Sequence, residues 1–200
     1  MASEAFFTFG KALCQALCYG VFRLQVTGAE NVPLTGPLIV AANHISYLDP
    51  VALGSALPRP ISYMAKSELF KIPVLGAIID GVGTFPVDRG KGDISAIRQS
   101  VAYIKKGRAV GIFPEGGRNT TGTAEAKAGV ALLAQLAQAP VVPAFIYGGQ
   151  NVRRLGQLKV AFGAPLRFDP QRKAGRDELA NMTAQIMEQI RALGESIGAH

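Results

Sequence analysis

Six short apolar runs, at 38–42, 61–65, 83–87, 109–113, 141–147 and 158–162, alternate along this chain with stretches whose apolar residues recur at helical spacing. Apolar runs of this length, bounded by turn residues, read as strands buried on both faces. Strands that alternate with helices build a mostly parallel sheet covered by those helices. Helices are expected at 50–57, at 94–105 with Ile94, Ile97, Val101 and Ile104 on one face, and at 126–137. A last one is expected at 176–197, carrying Leu179, Met182, Ile186, Ile190 and Leu193. The expected fold class is therefore α/β: a single domain with a mixed, mostly parallel sheet flanked by helices. No repeat, low-complexity tract or linker divides the chain. Apolar residues make up 48% and charged residues 18%, enough to fill one core and far from the composition of a disordered chain.

Ahead of the first strand, Glu4, Thr8, Lys11, Gln15 and Tyr19 recur at helical spacing and leave a face of Phe6, Phe9, Leu13, Ala16 and Leu17. This predicts an N-terminal amphipathic helix within 1–25, followed by the main domain at 26–200. Two placements are open: the apolar face packs on the protein's own sheet, or it lies in a lipid interface with Lys11 among the headgroups. Lys11 and Arg23 interrupt the best apolar stretch, so no run of eighteen uncharged apolar residues occurs. The start, MASEAFF, lacks a basic n-region, which points away from a cleaved secretory signal and toward a reducing cytoplasmic setting. Cys14 and Cys18 are spaced C-x-x-x-C with no histidine nearby, so they read as small apolar helix residues; no metal and no cofactor are expected. The formal charge of +7 favours an anionic partner. Because the basic residues are scattered and no DNA- or RNA-binding motif occurs, that partner is not expected to be nucleic acid.

His44 and the terminal His200 are the two histidines, so imidazole chemistry at a defined site falls to His44. It follows the strand PLIVAAN, at a carboxyl end, where open α/β sheets place their ligands. Asp49 stands five residues on, before Pro50. Asp-Pro is a helix-start signal, with the carboxylate as N-cap. In a tight turn through 45–48 the same carboxylate reaches an imidazole nitrogen, fixing the tautomer and stabilising the cation that forms on proton transfer. Both roles remain open.

Two more strand ends carry polar groups: GTFPVDR with Asp88 and Arg89, and FPEGGRN with Glu115, Gly116 and Arg118. Glycine lets backbone approach a ligand, and an arginine fork matches phosphate oxygens in pairs, so Arg89 and Arg118 are candidates to clamp one phosphate; a solvated surface charge is the alternative for each. Lys127 is either a further cation at the site or an ordinary surface lysine in the first turn of a helix. No G-x-S-x-G elbow, P-loop or complete G-x-G-x-x-G appears, which leaves His44 as a base on a substrate hydroxyl.

Taken together and in order, NHISYLD, GTFPVDR, FPEGGRN and VVPAFIYG resemble the four blocks of the glycerolipid acyltransferase family, most closely its bacterial 1-acyl-glycerol-3-phosphate branch, and MAKSELFKIPVLG is similar to what lies between the first two. The likeness runs from about residue 36 to 165. It implies that His44 and Asp49 are the catalytic pair, and that Asp88, Arg89, Glu115, Gly116 and Arg118 bind substrate; Lys127, outside the blocks, is a candidate to join them. Lysophosphatidate would be the acceptor, acyl-CoA or acyl carrier protein the donor, and phosphatidate the product, with no covalent enzyme intermediate. The setting implied is an anionic membrane surface, with the protein peripheral or monotopic on the cytoplasmic face. Glycerol 3-phosphate or a lyso-aminolipid as acceptor, and a non-catalytic phospholipid-binding role, are the alternatives. The third block commonly reads FPEGTRS, so Gly117 and Asn119 stand here for two hydroxyl residues, and contacts made by those hydroxyls must be made differently.

Overall fold

The structure, a computed structural model, describes residues 4–73, 76, 79, 84–87, 93–119, 124–150, 156–169 and 174–198. Among the described residues seven strands form one sheet: β1 (Gln25–Thr27), β2 (Leu38–Ala42), β3 (Ile61–Lys66), β4 (Phe85–Val87), β5 (Ala109–Ile112), β6 (Val141–Tyr147) and β7 (Lys159–Phe162). Their order is β1-β7-β6-β2-β5-β3-β4. All neighbours run parallel except β6 and β7, which are antiparallel. The sheet is thus mixed and mostly parallel, as the alternation of patterns predicts. β1 has no counterpart among the predicted strands: its three residues, Gln25, Val26 and Thr27, alternate exposed and half-buried at the sheet's edge and carry no apolar run.

The α-helices described are α1 (Glu4–Gln15), α2 (Asp49–Ala56), α3 (Asp93–Lys105), α4 (Gly129–Ala137) and α5 (Arg176–Ser196), and they cover the two faces. Strand β2 is buried at every position, and its side chains alternate between two cores. Leu38, Val40 and Ala42 face a cluster with Cys18, Phe22, Leu53 and Leu57, from the N-terminal helix and α2. Ile39 and Ala41 face Ile104, Val130, Leu133 and Ile186, from α3, α4 and α5. Pro143 sits inside β6 where its pairing with β7 ends. Its carbonyl accepts the N–H of Gly163, just past the end of β7, and the ring has no N–H to make the return bond of that antiparallel pair.

The N-terminal helix departs from the regular pattern after Gln15, continuing as a π-helix at Ala16–Val21. Arg23, at φ 47°, then turns the chain into β1. The helix packs inward through Cys18 and Phe22, and Gln15 donates from Nε2 to the carbonyl of Ser55 on α2 at 3.2 Å. Gln15 therefore faces the protein rather than the outside, while Leu13 is 61% exposed, with Leu17 and Val21 below it also exposed. Burial pushes the Cys18 thiol up from its ordinary value and the partly buried Lys11 amine down. Among the described residues no helix is long and apolar enough to cross a membrane.

Tyr63, on β3, is the side chain on which the sheet's carboxyl edge is built. Its hydroxyl donates to the carbonyl of Pro50 at 2.8 Å, tying the start of α2 to the sheet, and burial pushes its phenol up. Gly111 on β5 leaves room for that ring: a methyl there would press into Tyr63 and stand 3.1 Å from Ile61 Cδ1. Overpacking of this kind typically costs about 1–3 kcal/mol. Gly111→Ala is expected to lower the unfolding free energy by that amount, read as a lower urea midpoint at unchanged slope; an unmoved midpoint would mean that the ring gives way freely.

Candidate active site

Strands β2, β5 and β6 end together, and the first two deliver the reactive groups. Past Ala42 the β2–β6 ladder is continued by a side chain. Asn43 donates from Nδ2 to the carbonyl of Ile146 at 2.9 Å, and its Oδ1 accepts the N–H of Ile146 at 2.7 Å. The amide thus satisfies the edge of β6 while the main chain leaves the sheet at His44.

The residues after His44 turn tightly into α2, and Asp49 begins that helix with Pro50 behind it. The helix start is where Asp-Pro predicts it, but the carboxylate does not cap the helix; it turns back. Asp49 Oδ2 accepts the N–H groups of Ile45 and Ser46, both at 2.7 Å, and lies 2.9 Å from His44 Nδ1. A carboxylate oxygen can only accept, so Nδ1 carries the hydrogen and Nε2 keeps its lone pair. Asp49 is 0% exposed, whereas the His44 side chain is 16% exposed. The buried charge is compensated by three N–H groups on one oxygen. Its other oxygen, Oδ1, has no hydrogen-bond partner among the described residues and lies under Gly149, where an added methyl would come within 2.5 Å of it. The imidazole is backed by Phe113, with ring centroids 4.2 Å apart, and Phe113 in turn by Tyr63 at 6.2 Å. An aromatic column therefore holds one face of the imidazole while Asp49 holds its edge.

The end of β5 meets this turn from the side. Glu115 Oε2 accepts the backbone N–H of His44 at 2.9 Å, and Glu115 Oε1 accepts the amide of Asn119 at 2.9 Å. Gly116, at φ +71°, occupies the left-handed region that favours glycine. Lys127 lies against it: a Cβ at position 116 would stand 3.3 Å from Lys127 Nζ. Lys127 is not in a helix's first turn, because α4 starts at Gly129 and the Lys127 N–H donates to the carbonyl of Pro114. Arg118 is exposed but not loose: its guanidinium carbon sits 3.7 Å from the centroid of the Tyr47 ring, and its NH2 donates to the Tyr47 hydroxyl at 2.8 Å.

Beside Asn43, Ile45 and Glu115 an open cavity of about 710 Å³ begins and runs toward α5, past Phe145, Met187 and Ile190. His44, Asp49, Glu115, Gly116, Arg118 and Lys127 thus gather at the carboxyl edge, whereas Asp88 and Arg89 lie outside the described residues. Sequence reasoning missed Tyr47, Phe113, Asn119 and Gly149 as parts of the site. Tyr47, Phe113 and Asn119 lay inside blocks already singled out, and a search for a partner to Arg118, His44 or Glu115 could have found them; nothing local marks Gly149.

The family model for Acyltransferase matches residues 23–147, a span that includes nearly every group described above. The chain belongs to this acyltransferase family. The 1-acyl-sn-glycerol-3-phosphate acyltransferase of Bacillus subtilis (strain 168) is 34% identical over 175 residues, covering 85% of this chain and 87% of that one. The protein of the same name from Streptococcus pneumoniae (strain ATCC BAA-255 / R6) is 29% identical over 162 residues, covering 78% of this chain and 60% of its own. The crystal structure of the 1-acyl-sn-glycerophosphate (LPA) acyltransferase from Thermotoga maritima superposes with a TM-score of 0.73, covering 98% of this chain and 80% of that one. At 24% identity that likeness speaks for the fold.

In an acyltransferase with this geometry, Asp49→Asn keeps an oxygen for the two backbone N–H groups, removes the charge beside the imidazole and puts an NH2 where Oδ1 stands without a partner. The variant is expected to fold with a lowered melting temperature, since an unpartnered buried donor costs about 1–3 kcal/mol, and to lose about 10²-fold or more in acyl transfer rate, as charge removal behind a catalytic imidazole does elsewhere. Thiol release under saturating substrates, measured beside circular dichroism, checks this; a rate within about twofold of the parent would remove Asp49 from the chemistry.

Proposed function

We propose that the protein transfers a fatty acyl group from a thioester of coenzyme A or acyl carrier protein to the sn-2 hydroxyl of 1-acyl-sn-glycerol 3-phosphate, giving phosphatidate. The observation that carries this reading is the 2.9 Å contact between His44 Nδ1 and Asp49 Oδ2, which leaves Nε2 free as a base at the edge where Arg118 stands. The acceptor oxygen attacks the thioester carbonyl carbon as Nε2 takes its proton. The C–S bond then breaks, and the departing thiolate collects the proton from the imidazolium. Asp49 stabilises that cation, and no bond from enzyme to acyl group forms. Base catalysis of this kind contributes about 10²- to 10⁴-fold.

The acceptor phosphate falls to Arg118, oriented by Tyr47, with Arg89 from the second block and Lys127 across Gly116 as its further partners, while Asp88 is left to a substrate hydroxyl. The names of the relatives support the choice of acceptor, and so do the basic side chains of Arg118 and Lys127, since cations suit a phosphate monoester. The apolar walls of the neighbouring cavity suit a lipid tail. Exposed Leu13, Leu17 and Val21 on the N-terminal helix, together with a net charge of +7, suit an anionic bilayer surface. On this reading the protein is peripheral or monotopic, on the cytoplasmic face of the cell membrane.

Purified protein and His44→Ala are to be incubated with 1-acyl-sn-glycerol 3-phosphate and a long-chain acyl-CoA or acyl carrier protein thioester, following thiol and phosphatidate together. The parent is expected to make both in equal amounts and the variant to be slower by about 10²-fold or more. Thiol without phosphatidate would indicate a different acceptor or hydrolysis, and no thiol from either donor would leave a phospholipid-binding role. Arg118→Ala is expected to raise the KM for lysophosphatidate by about tenfold or more, the worth of a charged hydrogen bond, with kcat little changed. An acceptor lacking the phosphate should not feel the substitution; if it does, Arg118 is not a phosphate ligand.

A further inference from the structure

Glu115 and Asn119 form a closed ring of hydrogen bonds around the main chain of His44. Glu115 Oε2 accepts the His44 N–H at 2.9 Å, and Asn119 N–H donates to the His44 carbonyl at 2.6 Å. Asn119 Nδ2 closes the ring by donating to Glu115 Oε1 at 2.9 Å. The Asn119 side chain is fixed from its other end as well, because Oδ1 accepts the N–H of Ala124 at 3.2 Å. The β2–β5 register brings the two segments side by side: Ala41 pairs with Ile112 near the strand ends, and His44 and Glu115 each lie three residues past that pair.

We propose that Glu115 and Asn119 are positioning residues, a brace that fixes the peptide on both sides of His44 so that Nε2 points at the acceptor hydroxyl. This deepens the reading of His44 as the base and rests on it. Each Glu115 oxygen accepts from a protein donor, one of them the His44 N–H, so the carboxylate is held against the main chain of the base. Asn119, standing where the resembled block has a hydroxyl residue, supplies the donor that orients it. A misplaced base costs rate while leaving acceptor affinity in place.

The ring offers its own rescue. In Glu115→Gln the new amide group faces either the Asn119 amide or the His44 N–H, donor against donor. In Asn119→Asp two carboxylates face each other. In the double variant E115Q/N119D, every bond can form again with the polarity of one link reversed. The new amide at position 115 donates to the new carboxylate at position 119 and accepts from the His44 N–H, while that carboxylate still accepts from Ala124. Each single variant is expected to lower kcat by up to about 10²-fold with the KM for lysophosphatidate within about twofold, and the double variant to recover most of the loss.

Because the chain has two histidines, the imidazole signal of His44 in a proton–nitrogen spectrum is assigned by its absence from His44→Ala. That signal should shift in both single variants and return in the double, a readout that needs no turnover. A rise in acceptor KM at constant kcat in Glu115→Gln, or a double variant no better than the singles in rate and imidazole signal, would overturn the brace. If His44→Ala retains the parent rate while the imidazole signal still follows the swap, the brace stands as structure and the reading of His44 as the base is what fails.

Discussion

A buried carboxylate turned back against its own helix holds this site together. Asp49 has no exposure, and charge in such a place is costly unless donors meet it. Here three N–H groups converge on Oδ2: two from the turn that precedes the helix and one from the imidazole. The turn closes because the carboxylate needs those donors, and the imidazole is aimed because it is one of them. Removing the carboxylate would leave two part-buried main-chain N–H groups without their acceptor, so the local backbone and the aim of the imidazole depend on the same oxygen.

The rest of the architecture supports that turn from three directions. Below it, Tyr63 anchors Pro50, and through Phe113 it carries the imidazole face. Beside it, Asn43 lets β2 part from β6 without leaving the ladder unsatisfied. From β5 come Glu115 and, four residues on, Asn119, which grip the main chain of His44 itself. Cations are kept off this inner framework: Arg118 stacks on exposed Tyr47, and Lys127 crosses a glycine at the surface. The result is an order from buried and rigid to open and polar. In the proposed reaction that order suits a base held in place and an anion arriving from solvent.

Much of the fold was legible in the sequence because strands buried on both faces must be short and apolar, and helices that cover them must repeat at their own period. The strands at 38–42 and 141–147 and the helix beginning at Arg176 lie where those patterns place them. The edge strand β1 was not legible, since Gln25 and Thr27 are exposed and an edge needs no apolar run. The direction of the N-terminal helix was not legible either. Periodicity marked Leu13 and Leu17 as one apolar face, but Cys18 and Phe22 fill the core and leave those leucines outside.

The same division runs through the site. A histidine at a strand end and an aspartate five residues later are local facts, and the spacing admits both a helix cap and an imidazole partner. The sequence determined the α/β class, the candidate pair and the blocks that carry the family likeness, because each is written within a few consecutive residues. Only the tertiary structure decided that Asp49 turns back rather than caps, that Glu115 meets a residue seventy-one positions away, and that Arg118 rests on Tyr47. Those contacts follow from β5 lying beside β2 in a particular register, and strand order is set by the packing of the whole sheet rather than by any segment of it.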